Sequence, residues 1–155
     1  MIALDPVRAT DDEAAFIAAA APGYDGDGEM PRAIFQQTRT FLQDHPRPDP
    51  WGSYLARQGE QAVGVCAFKS APDANGLVEI AYGTFPVHQG QGIAQQMIER
   101  LSSIAFAAGV KTLTARTLPE DNASNAALCR GGFSFAGEVI DPEDGLVWEW
   151  HLPRP

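Results

Sequence analysis

Residues 79–101, EIAYGTFPVHQGQGIAQQMIERL, decide how the rest of the chain is read. The run opens with strand-like alternation, passes Pro86, and crosses two glycines two residues apart, Gly90 and Gly92. Beyond them Ala94, Met97, Ile98, Leu101, Ile104, Ala105 and Ala108 recur at helical spacing, which keeps one face apolar for about four turns. A strand that leads through a glycine turn into a helix aims unpaired backbone N–H groups and the positive end of the helix at one point. An anion is favoured there. An ordinary β–α turn needs small residues as well, so the glycines alone are a weak signal.

Upstream, residues 2–4 read as a short strand. Thr10, Asp11, Asp12 and Glu13 form a capping-box pattern that opens a helix through about Ala20, with acidic residues at its positive end. Residues 22–29, PGYDGDGE, read as a solvated loop. A calcium loop would need a third ligand, a glycine and a distal Glu at positions this stretch does not supply. Pro31 suits a first helical position, and Ala33, Ile34, Phe35, Phe41 and Leu42 predict a second helix that ends before His45 and Pro46. The proline-rich residues 46–50 link elements. Residues 51–57 and 61–68 are strands joined by a hairpin turn at Gln58, Gly59 and Glu60, and a second turn at 72–76 leads into a strand over 77–85.

Downstream, the glycine-turn helix ends at Gly109, and residues 111–118 form a strand of mostly β-branched residues. Strand, crossover helix and strand on this scale make a right-handed parallel βαβ unit. A short helix over 122–130 stops at Gly131 and Gly132, and strands at 133–139 and 146–152 close the chain as a hairpin. Together these predict an α/β chain with a mixed, mostly antiparallel sheet of about seven strands, a central parallel βαβ unit and helices on both faces.

Composition narrows the class. At 155 residues the chain suits one domain, and 45% apolar with 20% charged residues is ordinary for a globular protein. No apolar run approaches a membrane span, and the first residues lack a basic region followed by an apolar one, so the cytoplasm is the expected compartment and no membrane partner is expected. A formal charge of −9 argues against nucleic acid, whose affinity rests on phosphate neutralisation by Lys and Arg; it suits a cationic, amine-bearing substrate or plain solubility. Cys66 and Cys129 show no CxxC spacing and read as free thiols, buried as small hydrophobes. His45, His88 and His151 lack ligand spacing, so no metal is expected, and a surface position suits His88.

The glycine turn matches neither the dinucleotide fingerprint G-x-G-x-x-G nor the phosphate loop G-x-x-x-x-G-K-S/T. Residues 89–94, QGQGIA, fit Q/R-x-x-G-x-G/A, and on this motif the chain resembles the GCN5-related N-acetyltransferases. The resemblance is strongest from Glu79 to Val139, the N-terminal half contributing only element order, and EIAYGTFP before the loop with TLPEDNAS after the fifth strand is similar to the ribosomal-protein alanine acetyltransferase branch. It implies a single N-acetyltransferase domain over 1–155 that moves an acyl group, acetyl foremost, from acetyl-CoA to a primary amine on a small molecule or peptide. A homodimer is compatible with it. The alternative is a non-catalytic acyl-CoA-binding module on the same fold.

The resemblance also implies site residues. Gln89, Gly90, Gln91, Gly92, Ile93 and Ala94 would cradle the coenzyme A diphosphate, with Thr84 and Phe85 on the strand before them and Asn122 beyond. Backbone N–H groups can do this without a basic side chain, which suits an acidic protein. Glu79 would deprotonate the amine through water, or else pair with a neighbouring Lys or Arg. Relatives often place a tyrosine acid on the helix after the fifth strand, and the equivalent position here is Leu128; no tyrosine follows Tyr82. Ser124 then stands as hydrogen-bond donor to the departing sulfur. Asp121 falls at the position of the branch's asparagine, with Asn122 one residue off. Capping the helix is the plainer role for Asn122 or Ser124. Core packing is the default for the aromatics, with Tyr24, Phe35, Trp51 and Tyr54 as candidate walls of an acceptor pocket.

Overall fold

The computed structural model describes residues 1–120 and 122–155. Seven strands, β1 (Ala3–Val7), β2 (Ser53–Gln58), β3 (Gln61–Phe68), β4 (Leu77–Thr84), β5 (Thr112–Thr117), β6 (Ser134–Asp141) and β7 (Gly145–Pro153), form one sheet in the order β1-β2-β3-β4-β5-β7-β6. Only β4 and β5 run parallel, with Glu79 beside Thr114, and every other pair is antiparallel. Four helices complete the described residues: α1 (Glu13–Ala20), α2 (Glu29–Asp44), α3 (Ile93–Ala107) and α4 (Ala123–Arg130). The expected α/β architecture holds, including the βαβ unit around the glycine turn.

Each face of the sheet carries its own core because strand residues alternate. Met97, Ile98, Leu101 and Ala105 of α3, with Ala127 and Leu128 of α4, pack on Val63, Val78, Ile80, Leu113, Ala115 and Trp150. On the opposite face Phe16 and Ala20 of α1 and Phe35 of α2 pack on Val7, Leu55, Ala62 and Phe85. β3 also carries a bulge. Ala56 pairs with Gly64 but Arg57 with Ala62, so Val63 is the extra residue. Its carbonyl accepts the Phe85 N–H at 2.9 Å, which fixes the end of β4 where the glycine turn begins. No helix among the described residues is long and apolar enough to cross a membrane.

Local details differ from the sequence reading. Asp12, not Thr10, is the N-cap of α1 and makes no side-chain cap; Asp11 folds back to accept the Arg8 N–H at 2.8 Å, so no capping box forms. Residues 21–24 are a 3-10 turn instead of open loop, and α2 starts at Glu29, which puts Pro31 third in the helix. Cys66 is buried and burial pushes its thiol up, whereas Cys129 is exposed; both are free. His88 is buried, not on the surface. Phe35, Trp51 and Tyr54 are spent in the cores and Tyr24 leans on Phe85 at 5.1 Å, so they do not wall a pocket together.

Candidate functional site

A cleft of about 500 Å³ opens where β4 passes through the glycine turn into α3, and α4 forms its far wall. Tyr82, Gly83 and Thr84 supply the strand side. Gln89, Gly90, Gly92, Ile93, Ala94 and Gln95 supply the turn, and Ala123, Ser124, Ala126, Ala127 and Arg130 the α4 side. The sheet makes this room by its topology. β4 and β5 are parallel neighbours joined over α3, and the chain leaving β5 turns into α4 beside it.

The turn depends on backbone freedom. Gly90 and Gly92 have φ of 79° and 77°, a region that side chains disfavour, and a Cβ at either would meet no protein atom within 4 Å. The space in front of both glycines is open. Gly92 is the N-cap of α3 and offers no side-chain cap. The first helical bond runs from Gln96 N–H to Gly92 carbonyl at 3.2 Å, so the N–H groups of Ile93, Ala94 and Gln95 have no acceptor within the helix. All three residues line the cleft, at the positive end of a helix of 15 residues. This arrangement fits a diphosphate.

At the other end Tyr82 reaches from β4 to α4. Its phenol oxygen lies 2.8 Å from Ser124 Oγ and 3.4 Å from the Ser124 carbonyl. Burial pushes the Tyr82 phenol up, with the Ser124 hydrogen bond acting in the opposite direction. A buried network fixes α4 below this pair. Trp150 Nε1 donates to Thr117 Oγ1 at 3.0 Å, Thr117 donates to Asn125 Oδ1, and Asn125 Nδ2 donates to the Glu120 carbonyl. Asn122 is the N-cap of α4, its side chain accepting the Asn125 N–H at 2.9 Å.

The structure thus brings Ser124, Thr84, Gln89, Gly90, Gly92, Ile93 and Ala94 together. Gln91 is exposed outside the lining, and Asn122 spends its side-chain oxygen on the cap. Phe85 does not join them: its ring is buried against Gly23 and Tyr24, and its N–H belongs to Val63. Asp121 lies outside the described residues. Leu128 is fully buried in the α3 core, so side chains there point away from the cleft. Tyr82 and Arg130 were missed by sequence reasoning. The parity of β4 carries the signal for Tyr82, since Val78, Ile80 and Tyr82 share the face toward α3 and α4.

Glu79 looks at the other face of β4. Lys69 Nζ lies 2.8 Å from Glu79 Oε2, yet not along a hydrogen-bonding direction, and that oxygen is sealed from solvent; the contact is Coulombic. Arg116 stands 3.9 Å from Oε1 and also binds Asp141 at 3.0 Å and Glu149 at 3.3 Å. The hydrogen bond to Asp141, helped by the charges of Glu79 and Glu149, raises the Arg116 guanidinium pKa.

An open helix end and a phenol–hydroxyl pair line one cleft beside the parallel strands. The chain belongs to the acetyltransferase (GNAT) domain family, whose model matches residues 2–134. It is 28% identical over 102 residues to the uncharacterized N-acetyltransferase YoaA of Bacillus subtilis, a match spanning 65% of this chain and 57% of that protein. RimL, a ribosomal L7/L12 alpha-N-protein acetyltransferase solved in complex with coenzyme A, shares the fold. Its TM-score is 0.69 at 20% identity over 98% of this chain and 93% of RimL. A spermidine N-acetyltransferase SpeG chimera from Vibrio cholerae and hSSAT superposes with TM-score 0.74 at 13% identity, over 99% of this chain and 95% of the other.

Proposed function

We propose that the protein is an acyl-CoA-dependent N-acyltransferase that passes acetyl from acetyl-CoA to a primary amine by direct attack in a ternary complex. One observation carries this reading: open N–H groups of α3 and the Tyr82–Ser124 pair line the same cleft. The diphosphate binds at Gly90 to Ala94, Thr84 flanks it, and Arg130 offers the cleft a cation. Ser124 donates a hydrogen bond to the departing sulfur. No activated cysteine or serine nucleophile is implied, because Cys66 is buried with a raised pKa and Ser124 has no basic partner. Glu79 deprotonates the amine through water. Its carboxylate already holds an ammonium, that of Lys69, and a substrate ammonium would compete for the same charge.

The acceptor class follows the acidic balance, and the fold-mates named for a protein N-terminus and for spermidine are both amine acetylators. The similarity to the ribosomal-protein branch favours a peptide N-terminus. The reading is tested by acetyl-CoA calorimetry followed by thiol release with a seryl-N-terminal peptide, spermidine and a lysine-containing peptide. Thiol release with any of them above the rate without protein supports it. Tight acetyl-CoA binding with no thiol release would instead mark a non-catalytic binding module.

A further inference from the structure

The Tyr82–Ser124 contact has a hydrogen left over. Phenol and hydroxyl bring one hydrogen each, and the 2.8 Å contact between them consumes one. The Ser124 carbonyl, 3.4 Å from the phenol oxygen, is too far to hold the other well. Whichever way the pair is polarised, one O–H remains for a third atom, and both residues line the cleft. The pair is also rigidly held. Tyr82 extends from a strand whose neighbours Val78 and Ile80 are sealed in the core, and the Thr117–Asn125–Trp150 network pins α4.

We propose that Tyr82 sets the Ser124 hydroxyl as the hydrogen-bond donor to the departing coenzyme A sulfur. The inference rests on the acyl-CoA reading above. The amine nitrogen forms its bond to the thioester carbonyl carbon, the C–S bond then breaks, and its electron pair goes to sulfur. The sulfur leaves as a thiolate that accepts the Ser124 Oγ–H, while Ser124 Oγ accepts the Tyr82 O–H. The proton shed by the new amide nitrogen goes to water, and water later protonates the sulfur. Burial raises the Tyr82 phenol, so it stays a donor and not a phenolate acceptor at neutral pH. Tyr82 is thus a positioning residue, entering from β4 because Leu128 on α4 is committed to the core.

The test titrates coenzyme A bound to the protein, following the ultraviolet absorbance of its thiolate in a Cys129→Ser background. A donor aimed at the sulfur stabilises the thiolate, so the bound thiol titrates below free coenzyme A. Tyr82→Phe keeps the ring and removes only the hydroxyl. It should return the bound thiol toward the free value by about one unit, with coenzyme A affinity and Tm unchanged. Ser124→Ala should do the same, and the double variant should go no further than the worse single one, because the two act in series. Single-turnover acetyl transfer should fall about 10- to 100-fold in the same pattern. A bound-thiol pKa identical in wild type and Tyr82→Phe overturns the proposal. Failure of the wild-type protein to bind coenzyme A overturns the cofactor reading instead.

Discussion

Glu79 and Tyr82 lie three residues apart on β4 and face opposite sides of the sheet, and the two sides solve opposite electrostatic problems. Around Glu79 the surface is ionic: Lys69 and Arg116 are committed to Glu79, Asp141 and Glu149. Around Tyr82 the surface is nearly neutral, built of glycine turn, helix N–H groups and three hydroxyls, with Arg130 the single cation among the described lining residues. A chain with 20 acidic and 11 basic residues has few cations to spare. It employs two of them beside carboxylates on one face, and on the other face the turn and the open end of α3 offer backbone N–H groups to an anion. Backbone N–H groups carry no side-chain entropy and cannot be drawn away by a nearby carboxylate, which makes them dependable anion partners in an acidic protein.

This contrast breaks most sharply at Gly92. Gly92→Asp puts a negative charge and a strained φ of 77° at the entrance of α3, where the diphosphate would sit. Acetyl-CoA affinity should fall by roughly 100-fold or more by calorimetry. Wild-type affinity in this variant would remove the turn from the site. On the ionic side, Glu79→Gln should lower turnover by about 10²-fold with little change in acetyl-CoA affinity. The loss should shrink at high pH, where the amine is already neutral. If Glu79 only pairs with Lys69, the pH–rate profile will be superimposable on wild type.

Legibility in the sequence followed the range of the physics. Periodicity and turn chemistry act within a few residues, and they located every strand and helix to within a few positions. The glycine turn was readable because its φ values and its open helix end are local properties of residues 89–94. Tyr82 was not read as a site residue because its partner is 42 residues away, and only the β4–β5–α4 connection brings Ser124 to it. Counting along α4 pointed to Leu128 because spacing alone gives no helix rotation. In the structure that position is fully buried in the α3-side core, while Ala127 also lines the cleft. Leu128→Tyr should therefore overpack a closed core and cost about 1–3 kcal/mol in chemical denaturation. Unchanged stability would mean that the helix can turn and present position 128 to the cleft.

The smallest expected effect belongs to Asp141, and it tests whether the ionic face is independent of the cleft. Asp141 accepts the Glu143 N–H at 2.8 Å, the Asp144 N–H at 3.1 Å and Arg116 Nη1 at 3.0 Å. The Glu143 hydrogen bond, then Arg116, holds its carboxyl below the usual carboxylate range. A carboxyl whose pKa is depressed on folding stabilises the protein fully above its unfolded value, about 3.9, and loses that contribution as pH falls through the folded value. Asp141→Asn keeps an oxygen for the turn N–H groups and removes only the charge. Tm should drop by about a degree or two at pH 7, since partly solvated ion pairs contribute little. The gap between variant and wild type should hold down to about pH 4 and close below it as the wild-type carboxyl protonates. Acetyl-CoA affinity should not move, because the proposed diphosphate end of the cleft is on the other face and offers backbone N–H groups, not this ion pair. A gap that persists undiminished at the acid end would show that the charge on Asp141 is not what Arg116 contributes to stability. A change in acetyl-CoA affinity would show that the two faces of β4 communicate, and the division of labour between them would fail.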